Sequence, residues 1–254
     1  MSGPGEPAVR YVESYGSTSR QRGEWWLPTG RTERGSLVVL VHGGYWRDRY
    51  DLSLQDAVAA DLCGRGHLVW NVDYAPSTAP WPGTLTDAAA AYDFAFHGRY
   101  GGLVDPERVA VVGHSAGGHL ALWLASRSAL PADAPGAGSH VVPKLAVPQA
   151  PVAALVQAHA LGLGDGAVAA LLGGGPTDVP ERYAVADPVS LAPSGVPTTI
   201  VHGTADDVVP MSQSEDYVAV SPTTGLVRVP GGHFTHLDPS SDAWAAALTA
   251  LTGL

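Results

Sequence analysis

Two runs of the chain, Leu37-Val38-Val39-Leu40-Val41 and Val109-Ala110-Val111-Val112, are apolar at every position. Uninterrupted short runs of this kind predict strands buried on both faces of a parallel sheet. Residues 67–72, 144–147, 198–201 and 225–229 predict further strands. Between them apolar positions recur at helical spacing, as in Leu52, Leu54, Ala57, Val58 and Leu62, a run that stops at Gly64 and Gly66. Residues 84–97, 116–127, 212–220 and 240–251 predict helices in the same way. Strand and helix alternate with short connections, so the pattern predicts an α/β fold: a mostly parallel central sheet flanked by helices.

Two segments depart from this alternation. Residues 9–15 and 23–27 predict an antiparallel hairpin at a sheet edge, behind a loose tail at 1–7. The adjacent Trp25 and Trp26 then point to opposite faces, with at least one covering the core. Over residues 152–196 the strand signals lapse. One or two short helices, near 152–160 and 167–172, precede a Gly-Gly-Gly-Pro turn at 173–176. Placed over the C-terminal edge of a sheet, such an insertion is a lid or cap. A proline- and glycine-rich break spans 131–143. With no internal repeat and no linker, residues 1–254 are expected to form one domain carrying the short cap.

Composition narrows the partners. Charged residues make up 15% and hydrophobic ones 45% of 254 residues, which suits a packed core rather than a disordered chain. A formal net charge of −10 disfavours nucleic acid and anionic membrane. The one cysteine, Cys63, cannot form an intramolecular disulfide, suits a reducing compartment and is expected in the core. The N-terminal residues lack the pattern of a signal peptide, and no apolar stretch approaches a bilayer span. A cytoplasmic location is the expectation.

The chemistry centres on Gly113-His114-Ser115-Ala116-Gly117, which follows a buried strand and opens a helix. That is the context of a nucleophile elbow, with Ser115 at its apex. Serine needs a base, and the base needs a partner that fixes its tautomer. In the α/β-hydrolases, which this elbow resembles, an acid and then a histidine follow the serine, each beyond a strand end. Asp206 after the strand at 198–201 and His233 after the strand at 225–229 satisfy that order, with Asp207 and His236 as neighbouring rivals. His202 at its strand end suits a structural hydrogen bond. Donors for a developing oxyanion are expected from the N–H groups of Gly44, Tyr45 and Ala116. Trp46, Tyr74, Trp81 and His114 are candidates for the substrate pocket. Arg47 and Arg49 are candidates for pairing with a substrate carboxylate, beside the plainer reading that they face water. No metal-ligand spacing is present among the histidines, and neither metal nor organic cofactor is expected.

Together, His42-Gly43-Gly44-Tyr45-Trp46, Gly113-His114-Ser115-Ala116-Gly117-Gly118 and His202-Gly203 with Asp206 and Val209-Pro210 resemble the α/β-hydrolase superfamily over about residues 11–251. The likeness is nearest to the esterase and kynurenine formamidase (arylformamidase) branch, through the His-Gly-Gly-x-Trp loop. Asp73-Tyr74 resembles an Asp-Tyr pair of the wider group, although the Arg-Leu-Ala-Pro continuation is replaced by Ala75-Pro76. The resemblance implies a serine hydrolase acting on a small ester or aryl amide, with an N-formylkynurenine-type arylformamidase as the leading expectation. A general carboxylesterase is the alternative. A non-catalytic ligand-binding relative is a third reading, disfavoured by the intact serine, acid and histidine.

Overall fold

The computed structural model describes residues 9–138 and 141–254, so the tail expected at 1–7 lies outside the described residues, as do two positions of the 131–143 break. One eight-stranded sheet organises the chain. Its strands are β1 (Val9–Ser14), β2 (Arg22–Leu27), β3 (Gly35–Val41), β4 (Leu68–Val72), β5 (Val104–His114), β6 (Leu145–Gln149), β7 (Thr199–Gly203) and β8 (Gly225–Val229). Their order is β1-β2-β4-β3-β5-β6-β7-β8. β1 and β2 form the edge hairpin, β2 runs antiparallel to β4, and the remaining neighbours are parallel.

The uninterrupted apolar runs follow from this position. In β3, Leu37, Val39 and Val41 feed one core while Val38 and Leu40 feed the other; in β5, Val109 and Val111 alternate with Ala110 and Val112 in the same way. A strand covered on both faces has no solvent side on which to place polar residues. Trp25 and Trp26 divide likewise between the two cores, and both are buried.

Helix α1 (Asp56–Gly64) and the closing helix α9 (Asp242–Ala250) cover one face, tied together where Trp244 Nε1 donates to Asp61 at 2.7 Å. Ser241 caps α9 by accepting from Trp244 N, an arrangement typically contributing about 1 kcal/mol. The other face carries α2 (Gly83–Phe94) and α3 (Ala116–Ala125). All ten residues of α3 are buried, as expected of a helix apolar all round. Cys63 is buried within the core beneath α1 and α9.

Over the sheet's C-terminal edge lie four short helices: α4 (Leu155–Ala160), α5 (Ala167–Leu172), α6 (Pro180–Ala186) and α7 (Pro188–Leu191). The sequence pattern predicted at most two of them. α6 and α7 each begin with proline, which ends helices in their interior but suits the first turn, where its missing N–H is not needed. Asp187 caps α7 through Val189 N and accepts from Leu155 N at 3.0 Å and Val156 N at 3.3 Å, joining both ends of the insertion. α8 (Ser212–Val220) connects β7 to β8.

Candidate active site

Ser115 stands between β5 and α3 with φ +58° and ψ −118°, a conformation that costs a non-glycine residue about 1–3 kcal/mol. The surroundings hold it there. Its N–H donates to Gln149 O at 2.8 Å, and its carbonyl accepts from His119 N and Val152 N. Two glycines make the turn possible: a Cβ at Gly117 would overlap the carbonyl of Val41, and one at Gly113 would overlap that of Gly117. The serine is buried, and its side chain borders a cavity of about 330 Å³.

Asp206, in the loop after β7, uses both carboxylate oxygens. Oδ1 accepts from Val208 N at 2.9 Å and Val209 N at 2.8 Å; Oδ2 accepts from His233 Nδ1 at 2.7 Å. Burial disfavours its charge, but hydrogen bonds from His202, His233 and Val209 N–H outweigh burial and hold the carboxyl far below the usual range. His233 opens a short 3₁₀ turn, His233–Leu237, beyond β8, and lines the same cavity as Ser115. The acid and histidine loops are laced together by Thr204 N donating to Val229 O and Ala205 N donating to Gly231 O. The rivals lie elsewhere. Asp207 is exposed, and His236 is buried with neither ring nitrogen hydrogen-bonded among the described residues. Burial, then the neighbouring His202 and His233, push the His236 pKa down to about 3.

His202 is committed to the loop: Nδ1 accepts from Ser214 Oγ at 2.6 Å, and Nε2 donates to Val209 O at 3.0 Å, with Asp206 Oδ2 3.4 Å away.

The loop after β3 closes the cavity from the other side. Gly44, Tyr45 and Trp46 all have positive φ, at +109°, +51° and +53°. The N–H groups of Gly44, Tyr45 and Ala116 donate to no acceptor among the described residues, and Gly44 and Tyr45 border the cavity. Gly43 packs tightly against the elbow, since a Cβ there would lie 2.8 Å from His114 O and 3.0 Å from Ser115 Cβ.

The expected pocket residues need correction. Of Trp46, Tyr74, Trp81 and His114, His114 alone lines the cavity at Ser115. The left-handed turn at 45–46 sends Tyr45 to the cavity wall and Trp46 into the core, edge-on to His119 at 5.1 Å. Tyr74 lies beneath the loop, stacked 4.3 Å from His42, and donates its hydroxyl to His42 O at 2.7 Å. His42 Nε2 in turn lies 3.2 Å from Asp73 Oδ1, and Asp73 accepts from Arg20 through both oxygens. Trp81 borders a separate surface groove, with the Arg182 guanidinium 5.7 Å from its ring. Arg47 and Arg49 do border the cavity, but Arg47 donates to Gly164 O and pairs with Asp165 at 3.7 Å.

Several lining residues carry little signal in the sequence. Phe234, 66% exposed at the mouth, sits beside the expected base and was open to notice on that ground. Tyr50 and Val208 carry no comparable signal. Gly164 and Asp165 belong to a run with glycine at 162, 164 and 166, in which positive φ at all three glycines and at Asp165 folds the chain tightly over Tyr45.

A mostly parallel sheet, an elbow serine on its central strand and a bonded carboxylate–histidine pair on the two following loops define the α/β-hydrolase fold. Residues 24–220 match the BD-FAE family, and the chain belongs to this family of α/β-hydrolase-like esterases. Among solved structures, a truncated carbohydrate esterase from gut microbiota superposes with a TM-score of 0.83 at 21% identity, over 99% of both chains. Esterase B from Lactobacillus rhamnosis gives 0.82 at 20% identity, over 98% of this chain and 85% of that one. A probable isoprenylcysteine alpha-carbonyl methylesterase from Oryza sativa subsp. japonica is 36% identical over 110 residues, 42% of this chain. The match spans a quarter of that relative's length. These similarities point to esterases and give no support to the arylformamidase branch. No helix among the described residues is long and apolar enough to cross a membrane.

Proposed function

We propose that this chain is a serine carboxylesterase acting on small esters through an acyl-enzyme. The observation that carries the reading is the 2.7 Å bond from His233 Nδ1 to Asp206, made on the wall of the cavity that also holds Ser115. With its Nδ1 proton donated to Asp206, His233 keeps a lone pair on Nε2 and takes the Ser115 proton as Oγ attacks the ester carbonyl. The carbonyl oxygen becomes an oxyanion, stabilised by the unengaged N–H groups of Gly44, Tyr45 and Ala116 at the start of α3. His233 returns the proton to the leaving alcohol. Water, deprotonated by His233, then releases the acid and regenerates Ser115.

The amide reading uses the same groups on an arylformamide. One observation favours a substrate of that type: Arg49 borders the cavity, stacks 4.8 Å from the Tyr50 ring and makes no ion pair among the described residues. That leaves it free for a substrate carboxylate. Membership of an esterase family supports the ester first.

The deciding experiment compares p-nitrophenyl acetate with N-formylkynurenine, using wild type and Ser115→Ala. The expected result is ester turnover that falls by at least about 10⁴-fold in the variant. Formamide turnover exceeding ester turnover would move the assignment to the arylformamidases. Ester turnover retained by Ser115→Ala would overturn the serine mechanism.

A further inference from the structure

We propose that His114 is a positioning residue that aims the His233 ring by holding the His233 backbone against the nucleophile strand. The proposal rests on Ser115, Asp206 and His233 acting as described above. His114 is the last residue of β5 and immediately precedes Ser115. Its Nε2 donates to the carbonyl oxygen of His233 at 2.8 Å, and the two rings lie 4.5 Å apart. Among the described residues this is the only hydrogen bond between the nucleophile strand and the loop that carries His233. The other bonds of that loop run to the acid loop, within itself, or from Ser241 to Thr235 O.

The far edge of the same ring faces the loop after β3. A Cβ at Gly43 would lie 3.2 Å from His114 Nδ1. One side chain therefore spans three pieces of the site: it precedes the serine in sequence, abuts the loop of the oxyanion donors and is bonded to the residue that serves as base. Burial, reinforced by the neighbouring His233 and His236, pushes its pKa well down, so the ring is neutral and Nε2 carries the donated proton. Asp206 fixes His233 from the ring and His114 fixes it from the backbone; the two anchors together set where Nε2 points. Because proton transfer requires close alignment, a shift of about 1 Å costs up to about 10²-fold in rate.

The test uses His114→Phe, which keeps a ring but has no donor, His114→Asn, which is polar but too short to reach the carbonyl, and His114→Gln, whose amide extends about as far as Nε2. Steady-state constants for p-nitrophenyl acetate are measured beside the low-field proton resonance of His233 Nδ1. Phe and Asn are expected to lower kcat by about 10- to 100-fold with KM within about threefold, and to weaken that resonance, while Gln recovers most of both. Wild-type kcat and an intact resonance in both the Phe and Asn variants would overturn the proposal. A rise in KM at unchanged kcat would also overturn it, by making His114 a substrate contact. Labelling of wild-type Ser115 by a fluorophosphonate separates the two levels: without it the serine reading itself fails, and with it a normal His114→Phe removes the positioning role alone.

Discussion

Asp206 and His233 meet through a single 2.7 Å hydrogen bond, and the other Asp206 oxygen is held by two backbone N–H groups of its own loop. The carboxylate is thus oriented before the histidine is considered. The bond depends on two loops from neighbouring strands, β7 and β8, kept close by glycine at 203, where a Cβ would overlap the carbonyl of Gly231.

Asp206→Asn retains the shape of this arrangement but presents an amide N–H or a weak acceptor to His233, so the wrong ring tautomer is favoured. The expected loss is about 10³- to 10⁴-fold in kcat for ester hydrolysis. The exposed neighbour serves as the control, and Asp207→Asn is expected to stay within about twofold of wild type.

Three buried histidines make the fold sensitive to acid. Burial lowers the pKa values of His114, His119 and His236, to about 4 for His119 and about 3 for His236. Between those values and the unfolded value near 6.5, the unfolded chain binds more protons, so stability falls as pH drops. By pH 5 His119 and His236 each cost up to about 2 kcal/mol relative to pH 7, and His114 acts in the same direction. Asp206 acts lower: its depressed pKa contributes stability above about pH 4 that is lost on further acidification. Urea denaturation of His236→Leu at pH 7 and pH 5 tests the histidine contribution. Since both ring nitrogens of His236 lack partners among the described residues, the variant should lose little at pH 7 and show a shallower decline. A decline as steep as wild type would count against it.

The elbow should not accept a methyl group. In Gly117→Ala the new Cβ meets the backbone carbonyls of Val41 and His42, neither of which is a flexible side-chain end. We expect a loss of at least about 3 kcal/mol, or failure to fold, by thermal denaturation. Gly64→Ala, at the end of α1 with no neighbour in the way, is expected to be neutral or to gain up to about 1 kcal/mol.

Aromatic substitutions distinguish the cavity from its surroundings. Phe234→Ala removes an exposed ring from the mouth and is expected to raise KM for p-nitrophenyl esters by about fivefold, roughly 1 kcal/mol of aryl contact. Trp81→Ala, on a separate groove, should leave KM unchanged. Equal effects of the two would place the aryl group outside the cavity at Ser115.

How far the sequence could be read depended on how local each signal was. The elbow was legible because strand, glycine spacing, serine and helix all lie within residues 109–122 and depend on one another sterically. The meeting of Asp206 and His233 was open to expectation by order, as each follows a predicted strand end. The pocket was less so. Trp46 looks like a wall residue on paper, yet two successive left-handed residues turn it into the core and leave Tyr45 at the cavity. α6 and α7 were hidden because proline marks both a break and a first turn, and four- and seven-residue helices have too few positions for a period to show.

By itself, then, the sequence determined the α/β alternation, the strands buried on both faces and the chain order of serine, acid and histidine, all of which follow from neighbouring residues along the backbone. Tertiary structure alone decided that Oδ2 of Asp206 faces His233, that His114 reaches across to the His233 carbonyl, and which aromatics border the cavity. Those depend on dihedral angles at single residues and on contacts between loops from different strands, and no short-range pattern encodes either.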